Sequence, residues 1–253
     1  AAVGGSVAIN DIGSLGSKQS NKAAINNTDI TTTADGKVSA KAIDSSKLTT
    51  IAASVAATTG NVAFSGSGAA ALIDKETATE MQNTTVNAGA EDEAKGDVEA
   101  KASSASKITT VGIVAGGAKN VGAGLGIAVN KINADTKTTL ANGSYKVDDL
   151  LASSTSTADL KSIGITASAG GNAGIAGNVG VNLIGSNTQT LIDGAQITAK
   201  NNIAALATSK EHLENYAGSV GVAVGGQAGV GLSVAYNEIT GKTASVVNNA
   251  ALN

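Results

Sequence analysis

Gly36-Lys37-Val38-Ser39-Ala40-Lys41-Ala42 returns 60 residues later as Gly96-Asp97-Val98-Glu99-Ala100-Lys101-Ala102. The piece that follows, Ser46-Lys47-Leu48-Thr49-Thr50-Ile51, returns as Ser106-Lys107-Ile108-Thr109-Thr110-Val111. Weaker copies are Leu150-Leu151-Ala152 with Leu160-Lys161-Ser162-Ile163, and Ile203–Ala207 with Leu213-Glu214-Asn215-Tyr216. A fixed long period marks an elongated stack, in which each repeat buries its apolar side against its neighbours.

A second landmark is a Gly/Ala-rich strand ending in Asn. It reads Ser6-Val7-Ala8-Ile9-Asn10-Asp11-Ile12, then Gly126-Ile127-Ala128-Val129-Asn130-Lys131-Ile132, Gly180–Ile184 and Ser233–Ile239. The copy Gly68–Ile73 carries Ala71 where Asn is expected. These landmarks place units near residues 1–50, 51–110, 111–163, 164–216 and 217–253 of a single repetitive fragment, 1–253.

Period-2 alternation runs through these strands. Ala123, Leu125, Ile127 and Val129 share one face, and Gly122, Gly124, Gly126, Ala128 and Asn130 the other. One bulky face and one bare face suit a sheet packed on both sides, with the bare face admitting a second backbone closely. A further strand is expected after the Asn, at Thr136–Leu140, Thr188–Ile192 and Thr243–Val247, followed by turns such as Asn142-Gly143 and Asp193-Gly194. Strands should be short. Helix is weakly supported, at most a turn or two in Glu91–Lys95 and Ser209–Asn215. The predicted fold is all-β, a parallel β-helix (β-solenoid). At two coils per unit it is a rod of about nine or ten coils, roughly 45 Å long at ~4.8 Å per coil. A stack of antiparallel meanders is the runner-up.

Composition agrees. The chain has 32 Gly, no Pro, Cys or Trp, one Phe and three Tyr. It lacks the aromatic volume for a wide core but suits a narrow one. Hydrophobic content of 42% and charge of 15% argue against disorder. Every basic residue other than the lone His212 is Lys and net charge is −3, which disfavours nucleic acid as a partner. Absence of Cys removes disulfides and thiolate metal sites. The chain lacks an initial Met and a signal peptide, and reads as a piece of a longer protein. Ile163–Ile192 and Ala217–Tyr236 are uncharged and long enough to cross a bilayer. Their Gly, Ser, Asn and Gln lower hydropathy, so they read as buried strands.

No catalytic, cofactor-binding or metal site is assigned. His212 falls on the repeat position of Lys47 and Lys107, a surface substitution. Gly241-Lys242-Thr243 lacks the earlier glycine of a phosphate loop, since Tyr236 stands there, and reads as a turn. The glycine runs 116–126 and 170–180 follow the repeat and have no helix after them. Glu91-Asp92-Glu93 with Asp97 and Glu99 is a solvated acidic loop, with a loose calcium site as the lesser alternative. Asn10, Asn130, Asn182 and Asn237 can form an amide ladder along the stack. Thr136/Thr138 and Thr188/Thr190 offer a flat ice-binding face as a minor alternative. Paired carboxylates flanked by aromatic sugar platforms are missing, which disfavours carbohydrate cleavage.

The unit, quoted at Ala128-Val129-Asn130-Lys131-Ile132 and Gly96–Ala102, resembles repeats of giant bacterial exoproteins, namely filamentous-haemagglutinin-like adhesins and the large fusobacterial leukotoxin. The resemblance implies a right-handed parallel β-helix and an extracellular or bacterial cell-surface location. It also implies export by a type V route, with an outer-membrane translocation partner or barrel outside this fragment. The expected function is a structural or adhesive rod segment, not an enzyme, whose partner is a receptor on a host or neighbouring cell. The alternative is a self-assembling extracellular fibre built by end-to-end self-association through exposed strand edges.

Overall fold

A computed structural model describes residues 1–33, 35–88 and 96–253. Thirteen strands follow one another: β1 (Ala2–Ile12), β2 (Gln19–Asn26), β3 (Asp29–Thr32), β4 (Val38–Ala57), β5 (Val62–Gln82), β6 (Thr85–Ala88), β7 (Val98–Ala118), β8 (Val121–Ala141), β9 (Ser144–Gly170), β10 (Ala173–Asp193), β11 (Gln196–Ala223), β12 (Ala228–Asn248) and β13 (Ala251–Leu252). No helix occurs among the described residues.

Two sheets result. Sheet A runs β1-β5-β8-β10-β12, with β2 beside β5. Sheet B stacks β4, β7, β9, β11 and β13, with β3 and β6 completing its first two levels. Every pairing is parallel, which excludes the meander. The chain alternates between the sheets, so it forms a flattened parallel β-solenoid.

The repeat alignment fixes the register. Val38 pairs with Val98 and Val98 with Leu150, and Ile51, Val111, Ile163 and Tyr216 form one column. Two expectations need correction. The strand expected after each Asn is not separate: β8, β10 and β12 each run 21 residues straight through it. Each unit is therefore one coil, and sheet A has five levels. The stack is about 20–25 Å high, while a 21-residue strand reaches on the order of 70 Å. The fragment is a slab with its long dimension along the strands. Ser209–Asn215 also lies in strand, within β11. Glu91–Lys95 lies outside the described residues.

Two kinds of corner join the sheets. At one, Asn27, Asn83, Asn142, Gly194 and Asn249 occupy successive coils with φ between 48° and 61°. Asn and Gly tolerate this left-handed conformation best. Main-chain bonds continue through the corner, Asn83 N–H donating to the Ala141 carbonyl at 2.9 Å and Asn142 N–H to that of Asp193 at 2.9 Å. The opposite corner, at Gly60-Asn61, Lys119-Asn120 and Gly171-Asn172, is a tight reversal with similar cross-coil bonds.

The interior changes character between the corners. Near the Asn corner lies an apolar cluster of Met81, Val98, Leu140, Tyr145, Leu150 and Ile192. A second cluster, Ile73, Ile108, Ile132, Leu160 and Ile184, sits midway. Toward the tight corner the inward residues become Gly, Ala, Ser and Thr. There the sheets nearly touch: a Cβ on Gly122 would stand 2.1 Å from the Ala169 carbonyl oxygen, and one on Gly174 2.2 Å from that of Val222.

This thin wing corrects two further expectations. Its bare face points inward and packs as expected. Its bulky face is not packed within the chain: Val7 is 78% exposed, Ile127 45% and Leu232 65%. The uncharged stretches Ile163–Ile192 and Ala217–Tyr236 make part of this wing, so they are not fully buried strands; Ile165, Ile175, Val220 and Val230 face solvent.

The wing's thinness is testable by thermal denaturation. Gly122→Val forces a Cβ into backbone and should destabilise by about 1–3 kcal/mol or more. Gly66→Ala, whose added Cβ makes only ordinary contacts on the outer side, 3.6 Å from Phe64 and 3.8 Å from the Leu125 carbonyl oxygen, should leave the midpoint nearly unchanged.

Candidate functional site

Stacking in register converts each sequence position into a column, and the columns are where function could reside. The amide ladder forms on the residues that the sequence singled out. Asn130 Nδ2 donates to Asn182 Oδ1 at 2.8 Å, and Asn182 Nδ2 to Asn237 Oδ1 at 3.0 Å. Thr110 Oγ1 caps it by donating to Asn130 Oδ1 at 2.5 Å. Ala71 interrupts the column, so Asn10 turns instead to Thr50 Oγ1 at 2.8 Å. Asn130 and Asn182 are fully buried, and the ladder satisfies amides that would otherwise be costly inside.

His212 stands where the repeat put it, on the column Lys47–Lys107–Asp159–His212. Lys107 Nζ donates to Asp159 Oδ2 at 2.6 Å, and His212 Nδ1 lies 3.3 Å from Asp159 Oδ1. The Lys107 hydrogen bond is the main cause holding the Asp159 carboxyl below its usual range. The His212 side chain is mostly exposed, and this is a solvated ion ladder. Similar surface pairs, Lys22–Glu80 and Lys161–Glu214, lie outside the wing.

Other sequence candidates resolve differently. Gly241-Lys242-Thr243 is not a turn; it lies inside β12, paired with Ser186-Asn187-Thr188. The glycine run 116–126 spans the tight corner, where Gly122 permits the close approach of the sheets. Thr136, Thr138, Thr188 and Thr190 point inward and are buried, so these pairs form no flat outer face for ice. Of the acidic patch, Glu91-Asp92-Glu93 lies outside the described residues. Glu99 turns to Lys37 and Lys41 at 2.7 and 2.9 Å. Asp97 instead meets Asp148 and Asp149, with carboxylate oxygens within 4.8 Å of one another. Asn201 and Asn202 donate to the latter two, so neighbouring amides already occupy part of this oxygen cluster.

One buried group escaped the sequence reading. Lys75 points inward and is fully buried. Its Nζ donates to Asp44 Oδ1, to the Ala105 carbonyl at 2.9 Å and to Ser46 Oγ at 3.3 Å. Burial pushes the Lys75 pKa down from its ordinary 10.5, against the pull of Asp44. Its column reads Gln19, Lys75, Ala134, Ser186, Gly241, and that of Asp44 reads Asp44, Ser104, Ser156, Ser209. A charged pair thus replaces small neutral residues in one coil junction. The signal was a lysine on an otherwise uncharged column that narrows to Ala134, Ser186 and Gly241 in the later coils.

No family model, curated protein or solved structure matches the chain.

Two measurements follow from the columns. Asp44→Ser leaves the buried lysine unpaired and should cost about 3–5 kcal/mol, whereas Asp44→Ser with Lys75→Ala restores the neighbouring coils' pattern and should equal or exceed wild type. Denaturant unfolding distinguishes them. The depressed lysine pKa means the unfolded state binds the proton more readily just below pH 10.5, so the single variant's deficit should shrink as pH rises toward that value. Separately, Asn182→Ala strands the buried Asn130 Nδ2, while Asn237 Oδ1 keeps its bond from Asn215 Nδ2, and should cost about 1–3 kcal/mol in the same assay.

Proposed function

We propose that this chain is a structural or adhesive segment of a longer β-solenoid stalk belonging to a secreted or surface-anchored bacterial exoprotein. The observation that carries the reading is continuity. Each coil pairs with the next in parallel register along both sheets and through both corners. Such a ladder has length and stiffness as its product, and a further coil can be added without altering those already present. The repeat resemblance to large exported adhesins supports the same reading. In that setting its partner is a receptor on a host or neighbouring cell. Export by a type V route uses an outer-membrane partner or barrel elsewhere. We assign the segment no catalytic role and no nucleic-acid partner.

One observation favours a second reading, an end-to-end fibre. Among the described residues β1 and β12 each pair on one side only, leaving strand edges that another coil could extend.

Electron microscopy of the purified chain across a concentration series separates the two. The stalk reading expects discrete slabs that do not lengthen. Filaments that grow with concentration and show an axial repeat of about 4.8 Å would transfer the conclusion to the fibre, and compact globules would overturn both. Saturable binding of labelled chain to host or neighbouring cells supports the adhesive part; no binding assigns the segment to spacing alone.

A further inference from the structure

A polar layer runs along the stack between the two apolar clusters. Sheet A contributes two inward columns to it, Lys75, Ala134, Ser186, Gly241 and, beside it, Thr77, Thr136, Thr188, Thr243. Sheet B faces them with Asp44, Ser104, Ser156, Ser209 and with Ser46, Ser106, Ala158, Glu211. Lys75 shows that these columns oppose one another, since its Nζ reaches both Asp44 and Ser46.

Most hydroxyls of this layer have nothing in the protein to bond. On sheet A those of Thr77, Thr136, Thr188 and Ser186 are buried without a partner, and on sheet B those of Ser104, Ser106 and Ser156. A buried hydroxyl left without a hydrogen bond is costly. So many on adjoining columns are more than a stable fold leaves unmet.

The layer also has room beyond its own side chains. It is bordered on one side by Ile73, Ile132 and Ile184, and on the other by Met81, Leu140 and Ile192. These large residues hold the sheets apart in the second, third and fourth coils alike. In the second coil Lys75 crosses the width between the sheets and reaches the Ala105 carbonyl at 2.9 Å. In the third coil Ala134 stands in its place, and only Ser and Ala side chains face it.

We propose that this layer binds a file of water molecules along the stack axis, from the Lys75–Asp44 pair to Glu211. Apolar cavities stay dry, whereas one lined by hydroxyls holds water. At about three hydrogen bonds per water, the unpartnered hydroxyls engage about three or four molecules over about 10 Å. Lys75 fills the file at its first coil. At the far end the Glu211 carboxylate turns inward against Gly241 and accepts from Ser209 Oγ at 2.7 Å. Lys75 and the waters then meet one need, the bridging of two sheets across a polar layer. A metal cation fits less well, because the lining between the two ends is neutral and an ammonium group stands at one of them.

Oxygen-17 magnetic relaxation dispersion of the solvent tests this, because it reads long-lived internal water and ignores exchange of hydroxyl protons. The expected result is a dispersion step of at least about three waters. Ala134→Met sends a long apolar side chain across the third coil and should remove at least about one water from the step. Asp44→Ser with Lys75→Ala withdraws the side chain that fills the second coil and should enlarge the step. Thr157→Val, exposed on the outer face of sheet B, should leave it unchanged. Thermal midpoints certify that the variants fold. Should Ala134→Met fail to fold, the wild-type step and its growth in the double variant decide. Thr136→Val gives a separate readout. A hydroxyl bonded to water is lost at a cost and the midpoint falls, whereas one left unbonded in a dry interior is better replaced by a methyl and the midpoint rises. A flat dispersion overturns the proposal, as does a step that responds to neither interior change, or a midpoint raised by Thr136→Val.

Discussion

Across half of the cross-section the two sheets approach until backbone nearly meets backbone. No inward side chain larger than valine or asparagine has room there, and at Gly122 and Gly174 not even a methyl group fits. The rest follows from this. Alternation along a strand leaves every second residue outside, so the bulky residues of the wing must face outward. The apolar volume that would normally anchor a core is displaced to the two clusters nearer the Asn corner. Serine and threonine hydroxyls fill part of what remains. Some pair, as Ser54 with Ser65 at 2.8 Å, whereas those of Ser6, Thr166 and Ser168 are buried without a protein partner. The wing is therefore polar or neutral inside and greasy outside, the inverse of an ordinary globule.

Much of the register was legible before any coordinates, because repetition reports stacking directly. The pairs Val38/Val98 and Leu160/Leu213, and the column of Asn130, Asn182 and Asn237, fall in line as the repeats predict. Ala71 sits in the Asn column as anticipated. Strand length was not legible. Gly126 and Asn130 look like punctuation, yet β8 runs through both, because a residue facing a close neighbouring sheet is selected for smallness. Two coils per unit was the resulting error. Nor could alternation reveal which face was inside. A period of two distinguishes the faces, and only the distance to the opposing sheet assigns them.

The candidate sites divide in the same way. His212 was placed by its column, since a repeat position that holds lysine elsewhere is a solvated one. The threonine pairs were misplaced because nothing local separates an inward threonine row from an outward one. Lys75 is not legible locally, because Asp74-Lys75-Glu76 reads as an exposed charged run, and only its column, which holds Ala134, Ser186 and Gly241 in later coils, marks it as inward. Its partner, Asp44, is itself an exception to a serine column.

The coils differ in length without losing register. The offset between paired residues is 61 at Ala2/Ala63, 59 at Val62/Val121, 52 at Ala173/Val121 and 55 at Ala173/Ala228. The surplus is confined to particular places, such as the link between Ile12 and Gln19, which stands beside the shorter Ile73–Lys75, and the tight corner between Ala223 and Ala228, which stands beside Gly170–Ala173. Between these places the pairing runs with one irregularity, at Ala199/Asn202. The scaffold thus separates what must be conserved in spacing from what is free to vary. Loops can lengthen or be exchanged at those addresses while the ladder beneath keeps count. A lineage, or an engineer, could graft a recognition peptide there and obtain it displayed at a known height on a surface otherwise unaltered.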